Sequence, residues 1–175
     1  LEYLWGATYF NPQKQRDFKA FWAHNREQEK QAFEAFITWA FKCWQDDPSM
    51  HIYHYAAYEV TVCRKLMGRF GVCEFEVDQL LRNDVFVDLY KIVKGGLLVG
   101  ESKYSIKNIE RLYRKPREGE VANGGDSIVA YDVYKILSTH CENQKAQAIL
   151  NDILAYNKED CDSTQELVDW IRAQQ

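Results

Sequence analysis

The sequence predicts an α/β domain with a mixed β-sheet flanked by helices, and three observations carry that expectation. Runs of strand length rich in aromatic and branched residues recur, as at Met50 to Tyr55 and Val85 to Tyr90. Elsewhere apolar residues recur at helical spacing, most clearly Phe33, Phe36, Ile37, Ala40, Phe41 and Trp44. Strands come first and then alternate with helices, the order that lays helices over a sheet. At 175 residues the chain is the size of one domain and can bury a substantial core, so a single domain over 1–175 is expected.

Taken in order, Leu1 to Phe10 ends at Asn11-Pro12 and reads as a strand and turn, and Phe18 to Trp22 as a second short strand. A long amphipathic helix is predicted from about Asn25 to Gln45, ended by Asp46-Asp47-Pro48. The strand Met50 to Tyr55 leads into a helix reaching about Arg69 and stopped near Gly71. Val85 to Tyr90 is a further strand between Asn83-Asp84 and Gly95-Gly96. Helices are expected at Ile106 to Tyr113 and Ile128 to Leu137, and a last long one from about Lys145 to Arg172.

Composition narrows the function class. Hydrophobic residues make up 46% and aromatics 14%, a balance that argues for a packed core and against disorder. No run approaches the roughly 18 apolar residues of a membrane span. The opening Leu-Glu-Tyr-Leu-Trp lacks the basic and apolar segments of a signal peptide, and it lacks Met, so the chain reads as a fragment of a longer protein. Cys43, Cys63, Cys73, Cys141 and Cys161 are odd in number and widely spaced, which predicts free thiols in a reducing cytoplasm, with neither a zinc site nor disulfides. The net charge is −4, yet Lys103, Lys107, Arg111, Arg114, Lys115 and Arg117 stand against only Glu110 in one stretch. Such a basic stretch suits a phosphate backbone; a solvated helix face is the equally weighted alternative.

The signal that points to chemistry is a conflict between pattern and residue type. Ile149, Ile153, Tyr156, Leu167 and Ile171 form one stripe of the last helix, and Asp160 falls in its middle. Glu59 falls likewise on the face defined by Cys63, Leu66 and Phe70. An unpaired carboxylate on a core face costs several kcal/mol unless a cation or hydrogen bonds offset it. Each has an ordinary explanation when taken singly. Glu59 suits a first helical turn, and Asp160 could cap a helix break marked by Asn157. Taken together, with Tyr156 one turn before Asp160, a shared divalent cation is the leading reading.

These residues carry a resemblance. Tyr156-Asn157-Lys158-Glu159-Asp160 has the Tyr-x-x-x-Asp form of the third motif of DEDDy exonucleases, which are ribonuclease H-like. Tyr53 to Glu59 is similar to their second motif, with Glu59 where most members have Asp. More closely, the chain resembles the ribonuclease H-like domain of bacterial RecB-like nuclease and helicase fusion proteins. That likeness is carried by Leu1 to Gly6, Glu29 to Phe33, His54 to Glu59, Val87 to Tyr90, Tyr104 to Lys107, Gly125 to Val129 and Tyr156 to Cys161. It implies a ribonuclease H-like sheet lacking its first strand, with the family's first motif, Asp-x-Glu, upstream of Leu1.

The resemblance implies a metal-dependent nuclease of DNA processing or repair, a 3'-5' exonuclease acting on DNA or RNA, single-stranded by preference. It further implies a fused helicase and a second nuclease domain in the parent protein, and no membrane. Two Mg²⁺ or Mn²⁺ ions about 4 Å apart would clamp the scissile phosphate. Glu59 and Asp160 would be metal ligands and Tyr156 would orient the attacking water, its alternative being a core tyrosine. Asp88, at the end of a hydrophobic strand, is the fourth catalytic candidate, as an auxiliary ligand or a turn residue. Lys103, Lys107 and Arg111 would bind the substrate backbone without reading sequence.

Two rivals remain at this level. Asp88 with Glu101-Ser102-Lys103, after Leu97-Leu98-Val99, matches the Asp…Glu-x-Lys pattern of PD-(D/E)XK nucleases. A catalytically incomplete scaffold that guides nucleic acid or docks a helicase is the other. His51 and His54 make a poor metal pair, because on a strand positions i and i+3 point to opposite faces. Trp39 and Trp44 are simplest as core.

Overall fold

A computed structural model of the protein describes residues 1–96, 103–115 and 124–174. Strands β1 (Leu4–Phe10) and β2 (Arg16–Trp22) pair antiparallel, with Leu4 opposite Trp22 and Phe10 opposite Arg16. Asn11 closes the turn: its carbonyl accepts from the Lys14 N–H at 2.8 Å and its side-chain oxygen accepts from the Gln15 N–H at 2.9 Å. Helix α1 (Arg26–Asp46) starts where predicted, because the Asn25 side chain caps it by accepting from the Gln28 N–H at 2.9 Å. Its stripe of Phe33, Phe36 and Ile37 packs on the first sheet, with Trp5 stacked on Phe36 at 4.9 Å.

Strand β3 (Ile52–His54) leads into α2 (Tyr58–Phe70), which ends at Gly71 in the left-handed conformation, φ 62°. Helix α3 (Glu74–Arg82) follows, an element the sequence reading did not name; Val77 and Leu80 anchor it in the core. Strand β4 (Phe86–Asp88) pairs parallel with β3. The expected strand to Tyr90 is therefore too long. Asp88 Oδ1 accepts from the Tyr90 N–H at 3.0 Å and turns the chain into α4 (Leu89–Gly96), so the same apolar run serves a strand and then a helix. Helices α5 (Ile106–Glu110), α6 (Gly124–Thr139) and α7 (Asn143–Ala173) complete the order.

The architecture is α/β, as predicted, with small sheets flanked by helices. Both pairing senses of a mixed sheet are present, carried among the described residues by two two-stranded sheets. One core gathers Trp5, Phe33, Ile37, Cys63 and Leu66 under the β1–β2 hairpin; a second gathers Leu89, Val93, Ile109, Leu167 and Val168 beside β3 and β4. Helix α7 touches both sheets: Thr8 Oγ1 on β1 donates to Asp162 at 2.7 Å, and Arg172 donates to the Tyr53 hydroxyl of β3 at 3.0 Å. All five cysteines are free thiols, as their spacing predicts. Among the described residues no helix is long and apolar enough to cross a membrane.

Candidate active site

Parallel pairing sets His54 opposite Asp88 at the C-terminal ends of β3 and β4, the edge where parallel sheets assemble ligand sites. Asp88 organises the connection that follows. Its Oδ1 accepts from the Ala56 N–H at 2.9 Å as well as from Tyr90, which holds Ala56 in a left-handed conformation, φ 68°. The Ala56 carbonyl in turn lies 2.6 Å from His54 Nδ1, which donates to it. This tight loop delivers Glu59 to the first turn of α2, where the exposed amides favour an anion.

Glu59 Oε2 is buried and lies 3.5 Å from His54 Nδ1, too long for a good hydrogen bond, while the side chain as a whole is 45% exposed. Burial pulls the His54 pKa down, but the Glu59 carboxylate, the Ala56 carbonyl and the charge of Asp88 outweigh it, and the net direction is up. The histidine that the strand geometry excluded from a His51–His54 pair is thus the closest basic neighbour of the Glu59 carboxylate.

Across from this loop, α7 runs without interruption through Asn157. The explanation of Asp160 as the cap of a broken helix is therefore overturned. Asn157 is instead a packing residue: its side chain is wedged against β1, and a Cβ at Gly6 would fall 1.8 Å from Asn157 Oδ1. Only glycine allows that approach. Tyr156 and Asp160 follow on α7, both half-buried. The neighbouring Cys161 thiol is pushed up to about 12 by burial, by Asp160 and Asp162, and also by Glu59. Glu59 is the smallest of these contributions.

The basic stretch divides between packing and exposed positions. Arg114 is committed to α7, with Glu159 at 3.7 Å and Glu166 at 3.2 Å. Lys107 Nζ sits 5.6 Å from the centre of the Tyr156 ring, a cation–π contact, which brings one predicted backbone-binding residue to the predicted water-orienting tyrosine. Lys103 and Arg111 are exposed. Glu101, Arg117 and the run at 97–99 lie outside the described residues.

The arrangement offers hard oxygen donors, one of them a buried carboxylate oxygen without a hydrogen bond, and such donors suit Mg²⁺ or Mn²⁺. Among the described residues no group of three or more His, Cys, Asp or Glu side chains is set to hold a metal. A family model, RNase_H_2, described as RNase H superfamily, matches residues 1–172.

The chain belongs to the RNase H superfamily. No curated protein and no solved structure matches it at a significant level. As an RNase H-like chain it is a nuclease-like domain, its substrate class is nucleic acid, and RNase H-like nucleases generally use divalent metals. The PD-(D/E)XK alternative built on Asp88, Glu101 and Lys103 belongs to another fold and is set aside by this membership. Sequence reasoning missed the partnership of His54 with Glu59 and the seating of Asn157 under Gly6. Neither has a periodic signal, since both depend on how distant segments meet.

Proposed function

We propose that the chain is the 3'-5' exonuclease part of a DNA-processing protein, removing nucleotides from single-stranded ends by metal-dependent hydrolysis. The observation that carries this reading is the Glu59 carboxylate beside the C-terminal edge of the β3–β4 pair, with one oxygen buried, together with the half-buried Asp160 of α7. A carboxylate with one oxygen turned inward at a sheet edge is a ready donor for a hard cation. Superfamily membership makes phosphodiester hydrolysis the matching chemistry.

In this reading Glu59 and Asp160 hold the divalent ions, which when bound activate water and offset charge on the scissile phosphate. Tyr156 orients the attacking water through its phenol and is itself steadied by Lys107. Asp88 acts as a positioning residue, because its bonds to the Ala56 and Tyr90 amides shape the loop that presents Glu59. His54 sets the Glu59 side chain from the other flank. Lys103 and Arg111 meet the substrate backbone. A helicase and a second nuclease domain would be the companions of this part in the parent protein.

The test is digestion of single-stranded DNA and RNA labelled at one end, with Mg²⁺ or Mn²⁺ against a chelator. Shortening from the 3' end that needs metal is expected. Asp160→Asn should slow it by more than about a hundredfold, the scale of losing metal-borne charge stabilisation. Tyr156→Phe should slow it by about a hundredfold as well. Metal-dependent cutting that survives Asp160→Asn would refute the assignment. A second reading is favoured by the absence of a three-donor group among the described residues. Under it the chain binds nucleic acid as a scaffold, and no cutting would be seen with any metal.

A further inference from the structure

A shallow groove of about 580 Å³ opens at the same sheet edge, and of its side chains only that of Lys103 enters the reading above. Its walls are Tyr55, Tyr90 and Tyr104, with Lys94 and Lys103 at the rim. Tyr55 and Tyr90 meet edge to face, ring centres 5.7 Å apart at 78°. The Tyr55 ring is held by its hydroxyl, which donates to the Tyr104 carbonyl, and the Tyr90 backbone is fixed in the first turn of α4 by Asp88. Burial, with the nearby Tyr90 and Asp88, keeps the Tyr55 phenol neutral, its pKa pushed up to about 12. Lys94 Nζ lies 5.5 Å from the Tyr90 ring centre, and among the described residues neither lysine is ion-paired. Ala56, which also lines the groove, has its N–H on Asp88, so the groove is continuous with the loop that presents Glu59.

Flat rings fixed in advance beside exposed ammonium groups complement one kind of ligand, an unpaired base followed by its phosphate. A duplex would offer the lysines its phosphates but would leave the rings nothing to stack on, since its base faces are covered. We infer that this groove is a subsite for single-stranded nucleic acid, taking a base against the Tyr90 ring, with the perpendicular Tyr55 ring as its side wall, and a phosphate against Lys94 and Lys103. The inference rests on the reading that the chain acts on nucleic acid and extends it to a named seat for one nucleotide. A fold whose net charge is −4 repels phosphates in general, so the placing of these two lysines decides where a strand can lie.

Binding of fluorescent oligothymidylate in the presence of chelator, where nothing is cut, tests the groove apart from catalysis. Tyr90→Ala should weaken binding roughly tenfold while Tyr90→Phe keeps it, the signature of stacking. Lys94→Ala, at an exposed site that should not disturb folding, should lower the salt dependence by about one counterion. Crosslinks from 5-iodouracil in the strand should map to the groove tyrosines. Wild-type binding by both Tyr90→Ala and Lys94→Ala would overturn the subsite, as would crosslinks confined to other tyrosines, or duplex binding as tight and as dependent on Tyr90. If groove variants are silent while Asp160→Asn abolishes cutting, the subsite fails and the nuclease stands. If metal-free binding needs Tyr90 but no metal supports cutting, the nuclease reading fails and the subsite stands.

Discussion

Gly6 and Asn157 show how much of this fold turns on single atoms. Asn157 Oδ1 occupies the space where any other residue at position 6 would carry its Cβ, and Phe18 Cζ closes the other side at 2.9 Å. Gly6→Ala should therefore cost about 1–3 kcal/mol in denaturant unfolding, the scale of overpacking. Most of that loss should return in the double variant with Asn157→Ala, because the two changes share one contact. Full stability in Gly6→Ala alone would contradict the packing described. The same scale separates what could and could not be read from the sequence. Asp160 announces itself by breaking an apolar stripe, a pattern visible in one dimension. His54 beside Glu59 does not, because their meeting needs the left-handed Ala56 and the register that sets His54 opposite Asp88.

Elements were legible where a strong local signal bounded them. Asn25 and Gly71 cap helices as their residue types predict, and α7 follows its stripe for 31 residues. The helix α3 went unnamed because nine residues show little more than two turns of periodicity. The run at Val85 to Tyr90 reads as one strand in the sequence because nothing local marks the point where Asp88 captures the Tyr90 amide. Contacts between elements carry their own pH dependence. The Tyr113 hydroxyl, just beyond α5, meets the fully buried Ser163 of α7 at 2.9 Å, and burial pushes its pKa from 10.0 up to about 12. A raised phenol pKa means that the fold favours the neutral form. Its contribution is complete below pH 10 and is lost as pH rises through about 12. Denaturant titrations across that window should show wild-type stability falling with the appearance of tyrosinate absorbance. Tyr113→Phe should show a smaller fall, and an identical fall would exclude this contact as a source.

Over the whole molecule, α7 is the member that touches both sheets. It anchors to β1 through Asp162 and to β3 through Arg172, and it carries Tyr156 and Asp160 in the turns just before Asp162. Opposite it, the parallel β3–β4 pair and its loop present Glu59. The α/β class was legible because alternating strand and helix signals suffice for it. The pairing of strands into two separate small sheets was not, since sheet membership is decided by contacts between distant segments. The central claim is that Glu59 and Asp160 belong to one cation site. Calorimetric titration of the metal-free chain with Mn²⁺ tests it most directly, with circular dichroism to establish that each variant is folded. The account predicts a binding heat in the wild type that disappears in Asp160→Asn and again in Glu59→Gln. Binding unaltered by either substitution, or no binding by the wild type, would contradict it.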